Sequence, residues 1–299
     1  MKWYFALNEA GTSGGIGLHA RLAVLSALKV GGLEPHLLYY GARNDYIAWM
    51  EAQGVRVIDA APSFLDALEQ AAREGRHPAH FIGHWLRTAI CLIERDDDYI
   101  LYTDCDVLFR RRMNFAACRP DAIACAPEFK PDNWNYFNSG VMVQNVPRLR
   151  RDHPAFQAFI VDALHGPDAR DVSDQWAYNH FYRGSWVRLN PLMNWKPYWG
   201  FSADAPLVHF HGPKLDNMRA ILDGAMPWEN PTQRVIGSLF LAFMPHYIAA
   251  LDDLLVLLGA FEDRPLVEAI LRDARALYRM VPVDRIDLSV LENRMFDDA

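Results

Sequence analysis

The first sixty residues alternate between two periodicities, and that alternation restricts the fold more than any other feature. "KWYFAL" reads as a buried strand and "LHARLAVLSALKV" as an amphipathic helix stopped at Gly31 and Gly32. "PHLLYY" is a second strand, "DYIAWMEAQ" a helix closed by Gly54, and "VRVIDA" a third strand. Strands separated by helices are what a parallel sheet requires, because parallel neighbours need a crossover connection. Two more helices, "PSFLDALEQAARE" and "HFIGHWLRTAICLIE", precede a strand at 99–103. "AIACAP" and "SGVMVQNV" follow as strands, with helices expected over 154–165 and 173–183.

Beyond Pro231 the patterns are helical throughout: "TQRVIGSLFLAF", "HYIAALDDLLVLLGAF", "PLVEAILRDARALYRM" and "DRIDLSVLENRMF". The expected organisation is an α/β domain over residues 1–230 and an all-helical C-terminal extension over 231–299. An extension of about 70 residues is small for a core of its own. It is expected to pack on the first domain or on a second copy, in a homodimer through these helices with "LDDLLVLLGAF" at the contact. Pro245, His246, Asp252 and Asp253 interrupt the apolar stretch from Val235 to Phe261, so two helices of a water-soluble protein are expected, with peripheral membrane contact as the alternative.

One strand ends in charge. In "YILYTDCDVLF", Tyr99 to Phe109, an apolar run stops at Asp104 and Asp106 with Cys105 between them. Side chains two apart on a strand share a face, so the two carboxylates would converge, and like charges at the edge of a core call for a cation. A solvated loop is the plain alternative. A second apolar run, "PLVHFHGPKLD", ends in His209, His211, Gly212 and Lys214. Carboxylates, an imidazole, a glycine that permits close backbone approach and a lysine together suit a metal-bound pyrophosphate; a strand end with a core histidine is the alternative. In open α/β sheets ligands lie beyond the carboxyl ends of the strands, where the Asp104/Asp106 pair falls. The loop "EAGTSGGIG" falls there too. It matches neither G-x-G-x-x-G nor the P-loop, and is open to reading as a nucleotide approach or as a permissive turn.

Composition removes some classes. The 299 residues carry 30 basic and 37 acidic side chains, a net charge of −7, which argues against a nucleic-acid binder. Four cysteines without a C-x-x-C pair point to reduced thiols and a cytoplasmic protein. The N-terminal run is too short and polar for a signal peptide.

"LYTDCDVLF", "FNSGVMVQN", "DQWAYN" and "VHFHGPK", in this order, together with "HWLRTAI" upstream, resemble the family 8 glycosyltransferases and their GT-A-fold relatives, the glycogenin and lipooligosaccharide galactosyltransferase type. The resemblance covers residues 1 to about 220. The family's lysine stands three residues after its glycine and is followed by P-W; here Lys214 stands two after Gly212 and P-W is absent. The resemblance implies a Rossmann-like GT-A fold with a mostly parallel sheet. It implies a nucleotide-sugar donor, most simply a UDP-sugar, a glycan, lipid-linked or protein acceptor, and transfer with retention.

Residue by residue, the resemblance implies Asp104, Asp106 and His209 as metal ligands, with His209 preferred to His211 because it stands three residues before Gly212. A nitrogen beside two carboxylates favours Mn²⁺, with Mg²⁺ the alternative. Asn8, Arg87, Asp104, Asn138, Gly212 and Lys214 become donor-binding candidates, and Asp174 and Gln175 the catalytic ones. Asp174 also reads as a helix N-terminal residue capped by Ser173, and Arg87 as a partner of Glu94. Trp134, Tyr136, Trp195, Tyr198 and Trp199 sit in Asn- and Pro-rich loops that suit sugar faces or the core. The rivals are a haloacid-dehalogenase-type phosphatase with Asp104 as nucleophile, and a non-catalytic nucleotide-sugar-binding protein.

Overall fold

A computed structural model describes residues 1–78 and 82–280. The helix expected in "DRIDLSVLENRMF" lies outside the described residues. The chain runs β1 (Lys2–Asn8), α1 (Gly14–Val30), β2 (Glu34–Tyr40), α2 (Asp45–Ala52), β3 (Arg56–Asp59) and α3 (Leu65–Arg73). A broken helical stretch follows, α4 (Ile82–Trp85) and α5 (Ile90–Ile93) joined by a 3₁₀ turn at Leu86–Ala89, then β4 (Tyr99–Thr103) and β5 (Val107–Phe109). Next come β6 (Ile123–Pro127), β7 (Phe137–Asn145), α6 (Val146–His165), α7 (Asp174–Phe181), β8 (Trp186–Arg188) and β9 (Leu207–His209). The described chain closes with α8 (Leu215–Leu222), α9 (Pro231–Ala242), α10 (Met244–Leu258) and α11 (Arg264–Met280).

Seven strands form one sheet in the order β3-β2-β1-β4-β7-β6-β8. The β3-β2-β1-β4 half is parallel, β7 runs antiparallel to β4 and to β6, and β8 is parallel to β6. Residues of both parities are buried along the central strands, as a sheet covered on both faces demands. Tyr4, Leu38 and Tyr102 face Leu68 of α3, Phe156 of α6 and Tyr178 of α7. Phe5, Leu37 and Leu101 face Ala23 of α1 and Ile47 and Met50 of α2. The expected α/β fold with a mostly parallel sheet is therefore the observed one.

Several boundaries differ from the sequence expectation. Helix α1 starts four residues earlier, inside the glycine-rich loop, and α6 starts at Val146 rather than 154. Asn145 caps α6, its side chain accepting the Arg148 N–H at 3.1 Å, and Pro154 sits within the helix instead of opening it. Two strands carried no sequence signal. β5 is three residues long and follows the charged pair; β8 is short and half-exposed.

The C-terminal helices share a core with the α/β part. Phe240, Met244, Tyr247, Leu251, Leu254, Val267 and Ile270 pack with Leu22 of α1, Leu108 of β5, Val208 of β9 and Leu215 and Met218 of α8. Among the described residues no single helix is long and apolar enough to cross a membrane; α9 and α10 pass together but bend by 79° at their junction. A chain ended at Asn230 would expose Leu22, Leu108, Phe210 and Met218, an apolar patch large enough to drive association. We expect it to aggregate in size-exclusion chromatography; a soluble monomer that unfolds cooperatively would contradict the shared core.

Candidate functional site

The Asp104, Asp106 and His209 side chains come together because of β5 and β9. Strand β4 stops at Thr103, and residues 104–106 bend into β5 rather than continuing one strand, so the carboxylates converge through the bend and not through a common strand face. Cys105 turns inward, buried, its thiol on the Ala6 carbonyl. β5 then pairs antiparallel with β9, setting Val107 opposite His209, and the Phe210 N–H donates to the Asp106 carbonyl at 2.7 Å. One ligand atom from each of Asp104, Asp106 and His209 lies within 4.8 Å of the others. His209 is 1% exposed and Asp106 5%.

Glycine 140 makes room for this cluster. The Asp104 N–H donates to the Gly140 carbonyl at 2.7 Å, across the β4–β7 pairing. A Cβ on Gly140 would lie 2.4 Å from His209 Cε1 and 2.6 Å from Asp104 Oδ2. Gly140 closes the "FNSG" motif that supplies Asn138, and a glycine inside a strand is itself the signal of a close approach.

The protonation states suit a cation. Burial lowers the His209 imidazole below its ordinary value despite the pull of Asp106. Burial would raise the Asp106 carboxyl, but the Lys214 ammonium outweighs it and holds it well below the carboxylate range. A neutral imidazole beside an ionised carboxylate is the state that a metal ligates. His209 Nδ1 lies 2.8 Å from Asn194 Oδ1. Its Nε2 makes no hydrogen bond among the described residues, although Asp106 Oδ1 is 3.2 Å away. A buried, unsatisfied nitrogen aimed at two carboxylates fits a divalent ion. Lys214, at the N-terminus of α8, places its ammonium on Asp106 Oδ2 and on the Phe210 and Gly212 carbonyls. Gly212 has φ +91°, a conformation that favours glycine.

Arg87 ties the two acidic segments together. It lies in the 3₁₀ turn, 4% exposed. Nη2 donates to Asp104 Oδ1 at 2.6 Å, Nη1 to the Ser139 carbonyl at 2.8 Å, and Nε to the His84 carbonyl at 3.1 Å. Nη1 is also 3.0 Å from Asp174 Oδ2. Glu94, the alternative partner, bonds instead to Lys2 and Tyr4. Asp174 opens α7, and the Ser173 hydroxyl caps that helix by accepting the Trp176 N–H. Gln175 Oε1 accepts from the Ser139 N–H at 2.9 Å and from Asn138 Nδ2 at 3.2 Å. Asn8 stands at the carboxyl end of β1, its side chain accepting the Gly11 N–H at 3.1 Å.

No family model and no curated protein matches the chain by sequence. Solved structures do match. A galactosyltransferase, LgtC, solved in complex with donor and acceptor sugar analogs, has a TM-score of 0.54 at 20% identity, over 72% of this chain and 89% of that one. Mouse xyloside xylosyltransferase 1 has a TM-score of 0.51 at 15% identity, over 70% of this chain and 97% of that one. The glycosyltransferase GlyE of Streptococcus pneumoniae has a TM-score of 0.52 at 14% identity, over 72% and 55%. The chain has the GT-A fold.

Within that GT-A frame the glycine-rich loop turns through Gly14 at φ +63°, as a permissive turn would, and it has a further role that the sequence did not signal. The N-terminus of α1 receives a carboxylate from the chain itself: Asp216 Oδ2 accepts the Gly15 N–H at 3.2 Å, and a Cβ on Gly15 would lie 2.1 Å from Asp216 Oδ1. An anion at a helix N-terminus is favourable. Four residues on, His19 Nε2 accepts the Leu215 N–H at 3.1 Å. Burial lowers this imidazole to about 3, which keeps it a neutral acceptor. Together these bonds fix the turn that carries Gly212 and Lys214. Sequence distance hid both, since each contact spans about two hundred residues.

Beside the cluster, His211 serves a different group. Its Nε2 is 3.2 Å from Glu128 Oε1 and its Nδ1 is 2.8 Å from the Tyr198 hydroxyl. Burial would raise Glu128, but His211 outweighs it and holds the carboxyl at about 2. The loop aromatics divide. Tyr198 is buried, Trp195 and Trp199 meet edge to face, and Trp134 stacks on Trp186.

Removing Arg87 would leave Asp174 buried without its cation and Asp104 without its clamp. Loss of one partner of a buried pair costs about 3–5 kcal/mol. Arg87→Leu should lose stability of that order in urea denaturation; a loss under about 1 kcal/mol, the level of an exposed pair, would contradict the clamp.

Proposed function

We propose that the protein is a metal-dependent glycosyltransferase that moves a sugar from a nucleotide sugar, a UDP-sugar, to a carbohydrate-type acceptor with retention. Residues 1–230 are proposed as the catalytic part and 231–299 as its helical extension. The observation that carries the reading is the convergence of Asp104, Asp106 and His209 beyond the carboxyl end of β4 in a GT-A fold. Asp104, Asp106 and His209 would hold a divalent ion, Mn²⁺, which supplies Lewis-acid stabilisation to the departing diphosphate when bound.

The remaining roles belong to the chain. The Lys214 ammonium and the Gly212 N–H add positive charge where negative charge develops on the leaving group. Asn8, at the end of β1, contacts the base or ribose. Gln175, half-buried beside Asp174, presents its amide to the donor sugar and forms with Asp174 the floor of the reacting face, while the buried Asn138, whose amide is bonded within the protein, acts on the donor by holding Gln175 in place. Arg87, donating all its nitrogens within the protein, acts on the donor by holding Asp104 and Asp174 in place. The mouse and bacterial neighbours are named for the transfer of sugars, which supports the reaction class. The donor and acceptor analogs bound to LgtC support the same two kinds of partner here.

Titration calorimetry of UDP tests the reading. With Mn²⁺ present, wild type should bind UDP at least about tenfold more tightly than without it, a difference of about 1.4 kcal/mol. Asp106→Asn should abolish the difference. Equal UDP affinity with and without Mn²⁺ in wild type would overturn the metal-bridged diphosphate.

A further inference from the structure

We infer that Asn194 is a positioning residue that fixes His209 in the tautomer protonated on Nδ1 and so presents the Nε2 lone pair to a cation shared with Asp104 and Asp106. The inference rests on the metal-site reading above and extends it to a residue that the sequence analysis did not single out.

The assignment follows from two backbone donors that have no alternative role. The Gly140 N–H bonds to the side chain of Asn138 at 3.1 Å, so the atom that receives it must be Oδ1. The atom of Asn194 that lies 2.9 Å from that same oxygen must then be the donor Nδ2. The other terminal atom of Asn194 is therefore Oδ1, an acceptor, and it lies 2.8 Å from His209 Nδ1. Nδ1 must carry the proton. At the far end the Ser139 N–H fixes Gln175 Oε1 as an acceptor, which requires Nδ2 of Asn138 on that side and agrees with the first anchor. A buried amide network normally leaves oxygen and nitrogen to be assigned from partners; here both ends are pinned by main chain.

Burial makes the assignment binding. Asn194 is 0% exposed, His209 1% and Asn138 2%, so a reversed amide would set like atoms against each other with little water to relieve them. The backbone holds Asn194 in place. The Asn190 side chain accepts the Leu192 N–H at 3.0 Å in the preceding turn. Trp195 bridges to Val208, and the His209 N–H donates to the Trp195 carbonyl at 2.7 Å. Strand β9 thus carries the imidazole, and the turn that ends at Asn194, tied to β9 through Trp195, carries the residue that orients it. The consequence is chemical: with the proton on Nδ1, the lone pair of Nε2 faces Asp106 Oδ1 at 3.2 Å, an arrangement that a cation relieves. The opposite tautomer would place an N–H there, satisfying Asp106 and closing the nitrogen to metal. Hydrogen-bonded support of a metal-ligating histidine is a general requirement, and its loss costs about 10- to 100-fold in metal affinity.

The test is long-range ¹H–¹⁵N spectroscopy of histidine-labelled protein without divalent ions, paired with Mn²⁺ binding followed by electron paramagnetic resonance. Wild type should show His209 protonated on Nδ1. Asn194→Asp, which keeps the acceptor toward Nδ1 but sets an oxygen against Asn138 Oδ1, should retain the Nδ1 proton and bind Mn²⁺ more tightly than Asn194→Leu. Asn194→Leu should move His209 to the Nε2–H form and weaken Mn²⁺ binding by about 10- to 100-fold. An Nε2–H imidazole in wild type would overturn the inference, and that measurement does not depend on either variant folding. Asn194→Leu with unchanged tautomer and unchanged Mn²⁺ affinity would overturn it as well. Failure of the glycosyltransferase proposal looks different: the tautomer and Mn²⁺ binding follow Asn194 while no sugar nucleotide is turned over.

Discussion

Asp106 is a carboxylate buried at the junction of the sheet and the C-terminal helices, and the rest of the site follows from keeping it charged there. A lone buried carboxylate is costly and takes up a proton instead. Here the Lys214 ammonium meets one oxygen and His209 Nε2 faces the other, where a cation shared between them would complete the balance, and these two residues arrive on opposite sides of one turn. The short β5–β9 ladder makes that possible. It ties residue 107 to residue 209 and so joins the two sequence motifs that carry charge. The apolar helices α9–α11 close over the outer side of the same ladder, which gives the C-terminal part of the chain a direct stake in the geometry of the site.

Around Asp106 the polar groups are arranged in two lattices with different jobs. Arg87 gathers negative charge, holding Asp104 and Asp174 about one guanidinium apart and spending its remaining N–H groups on carbonyls. The amides of Asn138, Asn194 and Gln175 carry no charge and transmit direction instead, from the Gly140 and Ser139 N–H groups of β7 to the imidazole of β9. β7 serves both. Its Ser139 carbonyl receives Arg87, its Gly140 clears space for His209, and its antiparallel pairing with β4 aligns Asp104. The antiparallel strand inserted beside the parallel half of the sheet is where the fold and the site meet.

How much of this could be read from the chain depended on range. β1, β2, β3 and β4 announced themselves because each is an apolar run bounded by turn residues, and the alternation with helices told the sheet type. The Asp104/Asp106 pair and the "HFHG" segment were visible as charge at strand ends. β5 was not, because three buried residues after two aspartates have no period to detect. Asn194 lay unmarked in a loop whose tryptophans drew attention as sugar contacts, yet its importance comes from one hydrogen bond to a residue fifteen positions on. Asp216 and Gly15 form a pair that neither residue signals alone, since a glycine in a glycine-rich loop looks permissive until the carboxylate that crowds it is known. Local pattern fixes elements; the partners of buried polar groups are set by the tertiary fold.

The central claim is that Asp104, Asp106 and His209 form one cation site. Anomalous diffraction at the manganese edge, on crystals grown with UDP and Mn²⁺, tests it most directly. A single strong peak is expected within bonding distance of both carboxylates and of His209 Nε2. A peak bonded to His211, or one that touches neither histidine, would contradict it.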